Sequence, residues 1–122
     1  MKELIPQLPL IAAGITIALG ALGLLNPNGA QRLTGVKASA REGISEIRAT
    51  YGGFFLALGV MALTMREPLV FMTVGVAWCG AAAARFLSLF IDRIWTPKNM
   101  GGVLFEAAIG AGFLAPRIAR WL

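Results

Sequence analysis

Four long apolar runs constrain this chain more than any other feature of its sequence. They are Leu8 to Leu25, Ala49 to Met65, Leu69 to Ile91 and Met100 to Ala115. About 20 apolar residues in a helix cross the hydrocarbon core of a bilayer. The chain is 57% hydrophobic and 14% charged, whereas soluble domains average roughly 45–50% and 25%. The sequence therefore predicts an integral membrane protein.

Charge and cysteine content exclude several classes of function. The formal charge is +5, but the basic residues stand singly between apolar runs, so we expect no nucleic-acid partner. One cysteine, Cys79, permits no internal disulfide, and with no histidine in the chain we expect no metal and no cofactor.

A signal peptide is the competing interpretation of the first run. Met1-Lys2-Glu3 carries no net positive charge and no cleavage site follows, so a membrane span is favoured.

Turn signals separate the runs and define one domain. They are Asn26-Pro27-Asn28-Gly29, Arg66-Glu67-Pro68 and a loop over residues 92–99. We predict an all-α, four-helix transmembrane bundle with up-down-up-down topology, in which residues 1–122 form a single integral membrane domain. Its spans are predicted at about 8–25, 44–65, 68–91 and 100–117.

Two local patterns add detail between the first two spans. Ser39-x-x-Glu42 has the form of a capping box, which predicts a helix from about Ala40 onward. Pro27 to Leu33, followed by Gly35, predicts a short helix at the membrane interface that stops at the glycine.

The predicted topology places the termini and the 66–68 turn on one side of the membrane, called side A here. The 26–45 connection and the 92–99 loop lie on the other, side B. Side B carries six basic residues and side A four, which favours a cytoplasmic side B while leaving orientation open. The cations of side B are Arg32, Lys37, Arg41, Arg48, Arg93 and Lys98, and those of side A are Lys2, Arg66, Arg117 and Arg120.

Two ionisable residues lie within the apolar runs at matching depth. Arg85 precedes Asp92 by seven residues, and Glu106 follows Asn99 by seven, which places each about 10 Å from side B. An unpaired charge in hydrocarbon is costly. We therefore expect Arg85 and Glu106 to form an ion pair inside the bundle.

Other polar residues extend this cluster. Ser88 and Asp92 share a helix face with Arg85 at i+3 and i+7, and the second span begins on the same side with Glu46, Arg48 and Tyr51. We expect Arg48 to pair with Asp92, and Glu46 with a loop cation or with Arg85. The candidate polar or ligand-binding cluster is Glu46, Arg48, Tyr51, Arg85, Ser88, Asp92 and Glu106, and no catalytic residue is predicted.

Small residues at four-residue spacing predict close helix packing. Such faces occur at Gly102/Glu106/Gly110, at Ala49/Gly53/Ala57, and in the first span at Gly14/Ala18 and Thr16/Gly20. We expect the faces of the second and fourth spans to be used within the bundle. The Gly14/Ala18 face would then remain for self-association or for a partner.

The segment from Ser45 to Gly53, reading SEIRATYGG, is followed by Arg85-x-x-Ser88-x-x-x-Asp92 and then by Asn99 and Glu106. This pattern resembles the DUF4345 family of small bacterial membrane proteins over most of the chain. The resemblance implies a four-helix transmembrane protein, similar in layout to DoxX-like proteins and located as a multi-pass protein in the bacterial cytoplasmic (inner) membrane. It implies no activity.

Three classes of function remain. The favoured one is a non-catalytic membrane protein that binds a partner or lipid, with the polar cluster as an internal scaffold. Its partners would be the lipid bilayer and a second copy or a larger membrane complex. A small transporter or proton-coupled carrier using an Arg85/Glu106 cavity is the alternative. An enzyme is disfavoured, because the chain lacks a nucleophile with a base and lacks a metal-ligand set.

Overall fold

The computed structural model describes residues 1–122 and contains no strand. The predicted all-α class is confirmed. In chain order the elements are a 3-10 turn at Ile5–Gln7, α1 at Leu8–Leu25, α2 at Pro27–Thr34, α3 at Arg41–Ile47, a π-helical segment at Arg48–Phe54, α4 at Phe55–Met65, α5 at Pro68–Ile91 and α6 at Pro97–Ala119.

Four continuous helical stretches are long and apolar enough to cross a membrane: Ile5–Leu25, Arg41–Met65, Pro68–Ile91 and Pro97–Ala119. They agree in number and order with the predicted spans. The second stretch runs without a break from α3 through the π-helical segment into α4.

α6 begins earlier than predicted. The predicted 92–99 loop is wrong in its second half, since the helix starts at Pro97. Thr96 caps this start by accepting a hydrogen bond from the Asn99 backbone N–H at 3.1 Å. A threonine cap followed by proline at the first helical position is a common helix start. Asn99 therefore lies inside α6 rather than in a loop.

The start of α3 corrects a second prediction. The helix does begin close to the predicted residue, but its N-cap is Ala40, and no side chain caps it. The predicted capping box of Ser39 and Glu42 is absent, because the cap position falls one residue after the serine.

α2 confirms the short helix predicted after the first span. The Asn26 side chain caps its start by accepting a hydrogen bond from the Gly29 N–H at 3.0 Å. Gly35 follows the last helical residue with φ of 80°, a left-handed conformation that glycine adopts without strain. The predicted stop signal is thus the one the structure uses.

The chain divides into two compact units, and α1 contributes to both. The α1–α4 unit comprises Ala13–Met65, and the α5–α6 unit comprises Met1–Ala12 together with Arg66–Leu122.

Backbone-to-backbone packing holds the α1–α4 unit together. A Cβ added to Gly23 would lie 2.3 Å from the Tyr51 carbonyl oxygen, and one added to Gly52 would lie 2.7 Å from the Leu24 nitrogen. Such distances leave room for glycine only. Gly20 approaches the backbone of Leu56 in the same way, so the end of α1 packs directly on the second stretch.

The face of the second stretch that packs on α1 differs from the predicted one. Ala49 and Ala57 are exposed, and the close contacts are made by Gly52 and Gly59 instead. A π-helix holds more residues per turn than an α-helix, and buried Ile47 and Gly52 are accordingly five residues apart. The prediction of the Ala49/Gly53/Ala57 face assumed an uninterrupted α-helix and is wrong.

α5 and α6 form an antiparallel hairpin with a buried apolar seam. Gly75 approaches the side chains of Phe113 and Leu114, and a Cβ added to Gly110 would lie 2.5 Å from the Cys79 sulfur. Edge contacts between aromatic rings extend the seam, with Trp78 and Phe105 at 6.4 Å between centroids. This packing sets the register in which the polar residues of the two helices meet.

Candidate polar site on α5 and α6

Arg85 of α5 and Glu106 of α6 form the expected ion pair. The Arg85 guanidinium donates from Nε to Glu106 Oε2 at 3.0 Å and from Nη2 to Oε1 at 2.7 Å. Two parallel bonds between a guanidinium and a carboxylate are stronger and more directional than a single contact. Both carboxylate oxygens of Glu106 are thereby satisfied.

The two partners differ in burial. The Glu106 side chain is 11% exposed and the Arg85 side chain 32% exposed. The carboxylate is therefore enclosed by protein, whereas part of the arginine side chain reaches the surface of the chain. A buried carboxylate requires a compensating charge, and Arg85 supplies it from the neighbouring helix.

Asn99 completes the site. Its Oδ1 accepts a hydrogen bond from Arg85 Nη1 at 3.1 Å, and its Nδ2 donates to the Ile94 carbonyl oxygen at 3.1 Å. The amide thus connects the guanidinium to the backbone of the α5–α6 loop. Arg85, Asn99 and Glu106 are named the polar triad below.

Gly102 provides the space for the arginine side chain. It lies one turn before Glu106, and a Cβ there would lie 3.0 Å from both Cδ and Nε of Arg85. The predicted Gly102/Glu106/Gly110 face is confirmed as internal packing, since Gly110 approaches Cys79 and Gly75 of α5 in the same way.

Ser88 and Asp92 pair with each other at the end of α5. The Ser88 hydroxyl donates to Asp92 Oδ2, and the Asp92 backbone N–H donates to the Ser88 carbonyl at 2.9 Å. They share the α5–α6 unit with Arg85 and Glu106. Their hydrogen bonds close the last turn of the helix.

The remaining predicted site residues belong to the α1–α4 unit. Arg48 donates from Nη1 to the Leu24 carbonyl oxygen, and Glu46 Oε1 accepts from the Thr50 hydroxyl at 2.8 Å. These are not the expected partners, which were Asp92 for Arg48 and a cation for Glu46. Carbonyls in the last turn of a helix lack intrahelical donors, so Arg48 satisfies the end of α1.

Tyr51 contributes packing to this unit. Its ring contacts Phe55 edge-on, with 5.9 Å between centroids. Its backbone carbonyl lies at the close approach of Gly23.

Asn99 was not among the residues predicted for the candidate cluster. Thr96-Pro97 was the available signal, because it marks a helix start that places Asn99 within α6. Asn99 and Glu106 are seven residues apart, so they lie on one face of that helix.

The chemistry available to the polar triad is that of a charge pair with one amide. Arg85 is a permanent cation and Glu106 is its carboxylate partner. No group of three or more histidine, cysteine, aspartate or glutamate side chains comes together to hold a metal ion. The arrangement can hold two helices in register or bind and release a charged group at the arginine.

Comparison with known proteins places the chain in a family. No curated protein and no solved structure matches this sequence. The model of the family DUF4345, a domain of unknown function, matches residues 7–115, which include every residue of the polar triad. The match covers nearly the whole of a chain with four helices able to cross a membrane. This multi-pass membrane protein therefore belongs to the DUF4345 family.

Proposed function

We propose that this protein is a non-catalytic protein of the bacterial cytoplasmic membrane that binds a partner subunit or lipid. In this proposal the polar triad is the internal scaffold of the α5–α6 unit. The supporting observation is that Glu106 has both carboxylate oxygens satisfied by Arg85 of the adjacent helix. Such a pair fixes the register of two helices without requiring an external ligand.

The surface offered to a partner is on α1. Apart from its own turn of helix backbone, Gly14 has no atom within 4 Å of the position where a Cβ would be, and Ala18 is exposed. Small residues at this spacing allow the backbones of two membrane helices to approach closely. The proposed partner is a second copy of the chain or a helix of a larger membrane complex.

The proposal is tested by the mass and composition of the purified protein in mild detergent. Native mass spectrometry is expected to detect a dimer, a co-purifying subunit or retained lipid in the wild type. Gly14→Leu is expected to release the protein partner. Gly80→Leu is the matched control, because Gly80 of α5 also has open space around it. A bare wild-type monomer, or equal effects of the two variants, contradicts the proposal.

A carrier is the second candidate, favoured by the 32% exposure of the Arg85 side chain. In a carrier the pair would open to admit a small anion or a proton. The Arg85→Met/Glu106→Leu double variant separates the two proposals. A scaffold predicts a folded double variant that binds its partner as before. A carrier predicts that the folded double variant no longer moves protons across the membrane of reconstituted vesicles.

A further inference from the structure

The connection between α2 and α3 is held by side-chain hydrogen bonds to α2. The Gln31 side chain accepts a hydrogen bond from the Ala38 N–H at 2.7 Å and donates to Asn28 Oδ1 at 3.2 Å. The Thr34 hydroxyl donates to the Ala30 carbonyl at 2.8 Å and accepts from the Val36 N–H at 3.2 Å. These side chains tie residues 35–38 back onto α2.

In this arrangement two apolar side chains, Leu33 and Val36, are exposed close in sequence to exposed cations. Leu33 is 55% exposed and Val36 is 39% exposed. Lys37 directly follows Val36, Arg41 begins α3 four residues later, and Arg32 precedes Leu33 at the end of α2; all three are exposed. Apolar side chains flanked by lysine and arginine are typical of segments that lie at a membrane surface.

The helices on either side of the connection indicate its depth in the membrane. α1 has 18 residues and so a length of about 27 Å, close to the thickness of a hydrocarbon core. α2 and this connection lie between the end of α1 at Leu25 and the start of the second membrane-length stretch at Arg41. We expect residues between two such helix ends to lie at the level of the lipid headgroups.

We propose that residues 32–41 bind the headgroups of anionic phospholipids. Leu33 and Val36 enter the upper acyl region, and Lys37 and Arg41 contact the phosphate and the acidic headgroup. Charge complementarity selects an anionic lipid over a zwitterionic one, because cations near a membrane surface are attracted by its negative potential. The inference rests on the proposed binding function and names the class of lipid.

The test uses a tryptophan placed in the segment and brominated lipids that quench it. Leu33→Trp is introduced together with Trp95→Phe and Trp121→Phe, and the full chain is reconstituted into phosphatidylcholine vesicles. A minor fraction of the lipid is brominated phosphatidylglycerol or brominated phosphatidylcholine. The same protein without the Leu33→Trp change gives the contribution of Trp78, which is subtracted.

We expect stronger quenching by the brominated anionic lipid, and we expect high salt to reduce the difference. Lys37→Gln/Arg41→Gln is expected to lower the preference for the anionic lipid by about fivefold for each cation removed. Lys2→Gln/Arg120→Gln removes the same charge from the opposite side of the predicted topology. This control should keep the preference.

Two results would overturn the inference. Equal quenching by the two brominated lipids shows that the segment does not select headgroup charge. Quenching by neither lipid, in a preparation that contains a dimer or subunit, shows that protein covers the segment. That second result leaves the proposed partner binding intact, so the two proposals fail separately.

Discussion

The Arg85 guanidinium and the Glu106 carboxylate face each other across α5 and α6 through two parallel hydrogen bonds of 3.0 and 2.7 Å. Removal of one member leaves the other without its compensating charge. Removal of both leaves an apolar contact between two helices that already pack closely. The cost of the single changes should therefore exceed that of the double change.

Arg85→Met and Glu106→Leu are each expected to destabilise the protein by about 3–5 kcal/mol, the range for breaking a buried pair in soluble proteins. The double variant is expected to be nearly as stable as the wild type. Thermal unfolding in detergent is measured for the wild type, the two single variants and the double variant. These four stabilities give the coupling free energy between the two sites. Additive losses would mean that the two side chains do not stabilise each other.

Asn99→Ala should destabilise the α5–α6 unit by about 1–2 kcal/mol, because it removes one hydrogen bond to a charged group and one to a backbone carbonyl. The same substitution in the Arg85→Met/Glu106→Leu background should cost less, since the bond to Arg85 is already gone. The test compares the shift in thermal unfolding midpoint that Asn99→Ala causes in the wild type with the shift that it causes in the double variant. An equal cost in the two backgrounds would show that Asn99 stabilises only the loop at Ile94.

Two glycines of α1 provide a matched comparison of packing. Gly23→Ala places a methyl group 2.3 Å from the Tyr51 carbonyl oxygen, whereas Gly14→Ala meets nothing within 4 Å. Overpacking typically costs about 1–3 kcal/mol. Alanine at an open helical position gains up to about 1 kcal/mol. Thermal unfolding should therefore show a loss for Gly23→Ala and none for Gly14→Ala, and similar shifts would contradict the close approach of α1 to Tyr51.

The topology prediction is tested by accessibility of single cysteines in a Cys79→Ala background. Lys2→Cys and Arg120→Cys should react with a membrane-impermeant maleimide from the same side of oriented vesicles. Lys37→Cys and Lys98→Cys should react from the opposite side. Labelling of positions 2 and 120 from different sides would exclude four spans with both termini together.

The pairing of Arg85 with Glu106 was predictable because charges are rare in apolar runs. Each had a depth that could be counted from a turn signal, and the matching depths indicated a contact. Asn99 was not predicted as a member, since the helix start at Pro97 was placed three residues too late. A polar residue at an assumed loop position gives no indication that it faces inward.

The partners of Arg48 and Glu46 could not be predicted in the same way. The partners predicted for both residues were charged side chains, whereas Arg48 uses the backbone carbonyl of Leu24. Helix ends present such acceptors in every chain, and residue identity does not mark which one an arginine will reach. Burial alone would not have identified it either, because Arg48 is exposed.

The π-helical segment at Arg48–Phe54 has a consequence for sequence length in this protein. A π turn is equivalent to an α-helix that has received a one-residue insertion. Deletion of one residue between positions 48 and 54 would restore a regular α-helix and keep Ile47 and Gly59 in nearly the same relative orientation. A deletion in α4 would instead rotate the turns on its two sides by about 100° and separate the contacts of Gly52 and Gly59 with α1. Chains with this fold should therefore tolerate the loss of one residue within Arg48–Phe54 more readily than the loss of one residue within α4.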